Sequence, residues 1–158
     1  MIEWQWRAFA DLSNTDLYTV LAARQQVFIV EQNCIFPDID GLDADARHLL
    51  GWRVIDGRRQ LAAYLRLLAP GVKYTEASIG RVLATPAARG TGAGRALLRE
   101  GTAGADRLYP GHANRIGAQL YLENFYRQFG YATITAPYEE DGIMHVDMLR
   151  APGAASFT

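Results

Sequence analysis

A glycine-rich segment between a strand-like and a helix-like stretch most constrains the fold of this 158-residue chain. The stretch before it, 77–84, is largely apolar, and Thr85-Pro86 stops the strand there. After it, small and apolar residues recur at helical spacing as far as Leu108. This order predicts a tight turn whose backbone N–H groups, at the start of a helix, are open to a phosphate. The segment reads Arg89-Gly90-Thr91-Gly92-Ala93-Gly94-Arg95.

The spacing of these glycines excludes two common nucleotide-binding loops. A dinucleotide fingerprint that starts at Gly90 and Gly92 needs a third glycine where the chain has Arg95, which argues against a dinucleotide-binding oxidoreductase. A P-loop needs a lysine after its last glycine, and the chain has a single lysine, Lys73. The pattern that matches is R-x-x-G-x-G, which begins at Arg89. Close packing of small residues is the alternative reading of this turn.

Composition and charge narrow the class of protein. Apolar residues make up 49% of the chain, which leads us to expect one domain over 1–150 and a frayed tail over 151–158. The chain has no apolar run that spans a bilayer and no secretory signal, so we expect a cytoplasmic protein without membrane contact. A net charge of −1 argues against nucleic-acid binding. Cys34, the single cysteine, excludes a disulfide framework, and we predict no metal site.

Hydrophobic periodicity and turn residues predict an α+β fold around one mixed, mostly antiparallel sheet, in the order β, α, β, β, β, α, β, α, β, β. A β-α-β crossover through the glycine-rich turn requires the strands over 77–84 and 115–119 to run roughly parallel. The other predicted elements are strands over 2–9, 48–55, 60–68, 131–135 and 143–150, a helix over about 15–31, the helix after the turn, and a helix that ends at Phe129.

The turn and the order of elements together resemble the GNAT superfamily of N-acetyltransferases. In that family the turn binds the diphosphate of acetyl-CoA, and the strand before it offers main-chain groups to the pantetheine arm and the acetyl carbonyl. The resemblance implies acetyl-CoA as co-substrate and a central splayed pair of parallel strands. Gln119 stands where many members have an asparagine that contacts the cofactor. The implied cofactor-binding residues are Val82, Leu83, Ala84, Arg89, Gly90, Thr91, Gly92, Ala93, Gly94, Arg95 and Gln119.

A tyrosine near the end of the third helix is a candidate catalytic residue. Tyr126 precedes Gly130 by four residues, as does the GNAT tyrosine that lies beside the thioester sulfur. When an amine attacks the thioester, coenzyme A leaves as a thiolate, and a phenol can donate a proton to it. The alternative is a core aromatic residue, because Leu122, Phe125 and Phe129 form an apolar face next to Tyr126.

The chain resembles the ElaA-type branch of the GNAT superfamily over roughly 10–150. Its segment Glu140-Asp141-Gly142-Ile143-x-His145-x-x-Met148 is similar to that branch, although Met144 stands where the branch commonly has proline. The matching residues of the first third include Arg24, Glu31, Gln32, Cys34, Asp40, Gly41, Asp43 and His48.

Within that frame, the candidates for the base that deprotonates an amine acceptor are His145 (which we favour over His48), Glu31 and an ordered water. A neutral imidazole suits this role near pH 7, and the last strands line the acceptor side in GNAT folds. The alternatives are a structural histidine and a solvated helix-end carboxylate. Cys34 as a covalent nucleophile is a weaker reading than a packing role. The acidic residues over 38–45 and 139–141 form either a negative lip for a cationic acceptor or two solvated turns.

The sequence thus predicts an acetyl-CoA-dependent N-acetyltransferase. It would transfer an acetyl group to a primary amine of a small molecule or peptide, by direct attack in a ternary complex. The alternative is a non-catalytic acyl-CoA-binding sensor that uses the same pocket. GNAT proteins are often dimeric, so the resemblance also implies a homodimer.

Overall fold

The computed structural model describes residues 1–156 and shows eight strands and three α-helices in that part of the chain. Their order matches the predicted one, with one further strand near the C-terminus. None of the helices described has both the length and the apolar character needed to cross a membrane. The strands are β1 (Glu3–Ala8), β2 (Arg47–Ile55), β3 (Arg58–Leu68), β4 (Ser78–Ala84), β5 (Asn114–Gln119), β6 (Tyr131–Thr133), β7 (Tyr138–Glu140) and β8 (Ile143–Arg150). The helices are α1 (Asn14–Arg24), α2 (Ala93–Leu108) and α3 (Glu123–Arg127).

The strands form two sheets that meet between β4 and β5. In the first sheet β1, β2, β3 and β4 lie side by side in chain order, and every pair is antiparallel. The second sheet has the order β5, β8, β6, and β7 also pairs with β8. A parallel bridge between Ala77 and Asn114 joins the two sheets. This bridge confirms the predicted direction of β4 and β5 and places the splayed pair at the centre of the fold.

The C-terminal hairpin differs from the prediction in its strands. β6 ends two residues before the predicted 131–135 strand does, and the additional strand β7 forms a hairpin with the start of β8. Asp141 and Gly142, between β7 and β8, have φ of 52° and 79°, the geometry of a two-residue hairpin turn. β8 therefore pairs with β7 near its start and with β6 near its end.

The first helix covers the predicted range but changes type part-way. α1 begins after Ser13, whose hydroxyl accepts a hydrogen bond from the Asp16 N–H at 3.0 Å. The backbone then continues as a π-helix over Gln25–Glu31. The Cys34 N–H donates to the Ile29 carbonyl at 3.1 Å, the five-residue spacing typical of a π-helix. Such turns are found frequently at functional sites.

The chain after β8 folds back onto the domain as far as Ala154. Arg150 donates from Nη2 to the Ala154 carbonyl at 2.6 Å and from Nη1 to Asp106 at 3.0 Å. The Gly153 N–H also donates to Asp106, at 3.1 Å. The buried guanidinium therefore holds the start of the segment that we predicted to be frayed. Residues 157–158 of that segment lie outside the described residues, and the domain boundary at 150 stays a prediction.

The main core lies between α2 and the two sheets. It includes Leu97 of α2, Leu65 of β3 and Ile79 of β4, all almost completely buried. Glycine lets α2 approach β1 closely, because a Cβ at Gly104 would lie 2.3 Å from the indole ring of Trp6. This contact fixes how deeply α2, and with it the glycine-rich turn at its start, sits on the sheet.

We predict that Gly104→Ala lowers the free energy of unfolding by about 1–3 kcal/mol, because the new methyl group overlaps the Trp6 ring. Helix propensity alone would favour alanine by about 1 kcal/mol, so a loss of stability isolates the packing conflict. Gly94→Ala is the matched control in the same helix, since its Cβ would lie 3.9 Å from the Phe125 ring, an ordinary van der Waals contact. Urea unfolding compares both variants. Wild-type stability of Gly104→Ala would contradict the close contact.

Candidate functional site

A cleft of about 670 Å³ opens where β4 and β5 separate. Beyond the Ala77–Asn114 bridge, the Ile79 N–H of β4 does not donate to a main-chain carbonyl of β5. It donates instead to the side-chain oxygen of Asn114, at 3.2 Å. The same buried oxygen accepts from the Tyr131 hydroxyl at 2.7 Å. From Ile79 to Ala84, β4 lines the cleft instead of continuing to pair with β5.

A β-bulge shapes the part of β4 that lines the cleft. Opposite Leu65, β4 has two residues, Arg81 and Val82, between the regular pairs that Gly80 and Leu83 form with β3. Arg81 adopts a left-handed conformation, with φ of 51°. A bulge of this kind leaves one residue unpaired and increases the local twist. The segment that we predicted to contact the pantetheine arm, 82–84, therefore begins inside the bulge.

The glycine-rich turn leads from the end of β4 into α2. Gly90 and Gly92 have φ of 76° and 82°, a conformation that residues with side chains rarely adopt. Thr91 donates to the Ala88 carbonyl and closes the turn. Gly92 precedes α2 directly, so the first N–H groups of the helix, over 93–95, have no acceptor within it. These amides and the positive end of the helix dipole form a site that favours an anion.

An ion pair joins two walls of the cleft beside this turn. Arg89 donates from Nη2 to Glu31 Oε1 at 2.6 Å and from Nη1 to Oε2 at 3.2 Å, linking the turn to the π-helix. The hydrogen bond from Arg89 holds the pKa of the Glu31 carboxyl below its usual value. Because a lower pKa makes this carboxylate a weaker base, the pair argues against Glu31 as the group that deprotonates an amine.

Tyr126 of α3 lines the cleft with 7% of its surface exposed. Its ring meets the rings of Phe125 and Tyr131 edge-on, with centroids 5.4 and 5.9 Å apart. Burial raises the pKa of the phenol, so the hydroxyl stays protonated at neutral pH but is a weaker acid than a free phenol. Tyr126 thus packs in the core, as expected of a structural aromatic residue. It also reaches the cleft, as a catalytic proton donor must.

His145 of β8 lines the cleft and is held in one orientation. Its Nδ1 lies 2.7 Å from the Ile143 carbonyl, which can only accept a hydrogen bond. Nδ1 therefore carries the proton, and a neutral ring presents the lone pair of Nε2. Nε2 lies 3.9 Å from Glu140, and the ring stacks on Tyr138 with centroids 5.9 Å apart. The Tyr138 hydroxyl donates in turn to the buried carboxylate of Asp147.

Gln119, which we predicted to contact the cofactor, and Cys34 line the same cleft. Gln119, at the end of β5, donates from Nε2 to Gln32 Oε1 at 3.2 Å. Cys34 is buried, and its Sγ lies 3.2 Å from the Asp141 carbonyl, to which the thiol donates. This contact fits the packing role that we favoured for the thiol.

The cleft brings together eight of the predicted site residues. The residues over 90–95 do not line it; they continue from Arg89, which does. Within the described part of the chain, no group of three or more His, Cys, Asp or Glu side chains is placed to hold a metal ion. The predicted residues that line the cleft are Glu31, Val82, Leu83, Ala84, Arg89, Gln119, Tyr126 and His145.

Comparison with known proteins identifies the family of this chain. A family model described as an acetyltransferase (GNAT) domain matches residues 54–151. The chain belongs to the GNAT acetyltransferase family. Protein ElaA of Escherichia coli is 41% identical, over 95% of this chain and 97% of that protein. UPF0039 protein sll0451 of Synechocystis is 43% identical, over 94% of this chain and 94% of that protein.

Solved structures confirm that the fold is the GNAT fold. An acyl-CoA N-acyltransferase from Pseudomonas aeruginosa superimposes with a TM-score of 0.88 at 40% identity, covering 96% of this chain and 100% of that one. The crystal structure of Escherichia coli ElaA gives a TM-score of 0.86 at 41% identity, covering 95% of this chain and 99% of that one. The resemblance to the GNAT superfamily and its ElaA-type branch is thus confirmed. GNAT folds generally bind an acyl-CoA.

Next to the cleft, this GNAT chain buries a group of charged side chains. Arg24 of α1 donates to Asp38 at 2.9 Å and to Asp43 at 2.7 Å. Arg66 of β3 donates to Asp40 at 2.5 Å and to Asp43 at 3.1 Å. The interpretations of the 38–45 segment as a negative lip or a solvated turn are therefore wrong for Asp38 and Asp43, which are buried and neutralised by arginine.

One signal of this network is present in the sequence. Arg66 lies inside the apolar stretch 60–68, and an arginine in a buried strand needs a carboxylate partner. The nearby acidic cluster, 38–45, is the obvious source. His48 belongs to the same structural group, because its Nε2 donates to the Asp43 carbonyl at 2.9 Å. His48 therefore supports the loop and does not line the cleft.

We predict that Asp43→Asn lowers the free energy of unfolding by about 2–3 kcal/mol at pH 7, because Arg24 and Arg66 lose the carboxylate that they share and each keeps one other carboxylate partner. The exposed neighbour Asp45, changed to asparagine, is the control and should change stability by less than about 0.5 kcal/mol. Urea unfolding of the three proteins measures both values.

The same variant has a predictable pH dependence. Burial alone would raise the pKa of Asp43, but hydrogen bonds and charge from Arg24 and Arg66 lower it overall. A carboxyl whose folded pKa lies below its unfolded value of about 4 stabilises the protein above that pH and loses this contribution as the pH falls. The deficit of Asp43→Asn should therefore shrink below about pH 4. A deficit that is unchanged at pH 2 would contradict the role of the Asp43 charge.

Proposed function

We propose that this GNAT protein is an acetyl-CoA-dependent N-acetyltransferase that acts on a primary amine of a small molecule or peptide. One observation carries the proposal. β4 lines the cleft from its bulge at Arg81 to Ala84 and is followed, after a single 3-10 turn over Pro86–Ala88, by the anion-favouring turn that starts at Arg89. Along the chain, a strand edge that can pair with the amides of an extended ligand is thus followed by a site that favours a phosphate. Acetyl-CoA has the same order of groups, with its pantetheine arm between the thioester and the diphosphate.

The residues present fit this ligand. The first amides of α2 would hold the diphosphate, and Arg89 would exchange Glu31 for a phosphate oxygen. The main chain over 82–84 would pair with the pantetheine amides as an added strand does. Gln119, on the opposite strand, would contact the arm from the other side of the cleft.

The reaction needs one proton acceptor and one proton donor. The amine nitrogen attacks the thioester carbonyl, the new C–N bond forms as the C–S bond breaks, and coenzyme A leaves as a thiolate. His145 would accept the proton from the attacking nitrogen at Nε2, and Tyr126 would donate its proton to the sulfur. Orientation of both substrates and hydrogen bonds to the developing oxyanion would supply most of the rate. A homodimer, a cytoplasmic location and the absence of a nucleic-acid partner remain predictions.

Coenzyme A release from acetyl-CoA in the presence of pooled polyamines, amino acids, aminoglycosides and short peptides tests this function. We expect release above background and an acetylated amine in the mass spectrum of the pool. We also expect Tyr126→Phe to bind acetyl-CoA normally by calorimetry but to lower kcat by about 10²-fold, because the leaving thiolate loses its proton donor.

Other outcomes would contradict the proposal in distinct ways. If acetyl-CoA protects the protein against thermal unfolding but no amine is acetylated, the result would favour the alternative of a non-catalytic acyl-CoA-binding sensor. No protection and no product would contradict acetyl-CoA binding itself. Equal kcat for Tyr126→Phe and the wild type across pH would remove Tyr126 from the acid role.

We further predict that His145→Gln lowers kcat/KM for the amine by about 10²–10⁴-fold, whereas Glu31→Gln lowers it by about tenfold at most. The reason is that a neutral His145 presents the lone pair of Nε2, whereas Glu31 is a weakened base held by Arg89. Steady-state kinetics at saturating acetyl-CoA give both values. A larger loss for Glu31→Gln than for His145→Gln would instead assign the base to Glu31.

A further inference from the structure

One arginine of β4 has a backbone conformation that arginine rarely adopts. Arg81 has φ of 51° in the middle of a strand. Among the described residues, the other non-glycine positions with positive φ are Asn33, Asp56 and Asp141, which lie in turns. Asparagine and aspartate adopt this conformation several times more often than other residues, and arginine does not share that tolerance. The surrounding structure must therefore hold Arg81 in place.

The side chain of Arg81 supplies the restraint. Its Nε lies 2.8 Å from Asp38 Oδ1, and its Nη2 donates to the Asp38 carbonyl at 3.0 Å and to Asp40 Oδ2 at 3.3 Å. The guanidinium also lies over the Phe36 ring, 5.5 Å from its centroid. Only 19% of the side chain is exposed, so these contacts are shielded from water and salt.

The two aspartates that hold Arg81 are themselves fixed from elsewhere in the fold. Asp38 pairs with Arg24 of α1, and Asp40 pairs with Arg66 of β3. The loop that carries both aspartates is thus attached to two elements other than β4, namely α1 and β3. A loop anchored in this way can hold the Arg81 side chain in one position and, through it, the backbone of the bulge.

We propose that Arg81 is a positioning residue: its ion pairs with Asp38 and Asp40 keep the β4 bulge in the left-handed conformation that aims the main chain at Val82 into the cleft. This inference rests on the proposed function, in which that main chain orients the thioester. The 38–40 loop would then contribute to turnover without touching the reacting atoms.

A pair of substitutions separates this role from direct contact with a substrate. Arg81→Ala removes the side chain but keeps the steric penalty of the left-handed conformation. Arg81→Gly also removes the side chain, yet glycine adopts positive φ without that penalty. If Arg81 acts through the backbone, the glycine variant should be the better enzyme, although it carries the same loss of charge.

The test compares both variants with the wild type by thermal unfolding and by steady-state acetyl transfer. We expect Arg81→Ala to lower kcat by about 10²-fold, as a misplaced reacting group does, with little change in the KM for acetyl-CoA. We expect Arg81→Gly to recover at least about tenfold of that loss and to unfold at a higher temperature than Arg81→Ala. The control pair is Asp56→Ala and Asp56→Gly, at an exposed hairpin turn with nearly the same φ of 50°. In this control pair, the glycine variant should again unfold at a higher temperature than the alanine variant, and neither variant should change kcat.

Two results would overturn the inference. Equal loss of kcat in Arg81→Gly and Arg81→Ala would show that the guanidinium itself, and not the backbone it restrains, supports turnover. Wild-type kcat in Arg81→Ala would show that the bulge needs no restraint. Failure of the proposed function looks different, because the wild type would then neither bind acetyl-CoA nor release coenzyme A. That result would also overturn the positioning role, while the order of melting temperatures would still report on the bulge.

Discussion

The separation of β4 from β5 is the constraint on which the rest of the site depends. Two parallel strands that begin as neighbours at Ala77 and Asn114 would normally continue to pair, and continued pairing would leave no cleft. The Asn114 side chain ends the pairing because its oxygen takes the hydrogen bond of the Ile79 N–H. Backbone groups beyond that point need other partners, since unpaired buried amides are costly. An extended ligand that carries its own amides is a suitable partner for such an edge.

The buried charges keep the wall of this cleft in place. Burying arginine and aspartate costs several kcal/mol per ion, and the cost is offset only where each group has close partners. Here Asp43 receives hydrogen bonds from both Arg24 and Arg66, and Asp38 and Asp40 extend the network towards β4. The network therefore links α1, β3 and β4 through one loop. Its value lies in fixing geometry next to the cleft, where a shift of about 1 Å is enough to slow a reaction.

In the proposed mechanism, local environment divides the acid and base roles between the titratable groups of the cleft. Burial keeps the Tyr126 phenol protonated, and the Ile143 carbonyl keeps the proton of His145 on Nδ1. Glu31 lies in the same cleft, but its hydrogen bonds with Arg89 hold the pKa of its carboxyl below the usual value. The proposed proton donor and proton acceptor thus lie in one cleft, and the anion-favouring turn continues from Arg89 at its edge. The assignment follows from contacts between elements and not from the residue types alone.

The sequence by itself determined the order of elements, the glycine-rich turn, the parallel direction of β4 and β5, and the GNAT family. These features depend on neighbours in the chain, through side-chain periodicity, turn chemistry and a motif of six residues. Only the tertiary structure decided that Glu31 pairs with Arg89, 58 positions away, and that three of the four aspartates in the 38–45 segment pair with arginine. It also decided the left-handed bulge at Arg81. Ion pairs and strain between distant segments leave no periodic pattern, because charged residues at those positions read equally well as solvated turns.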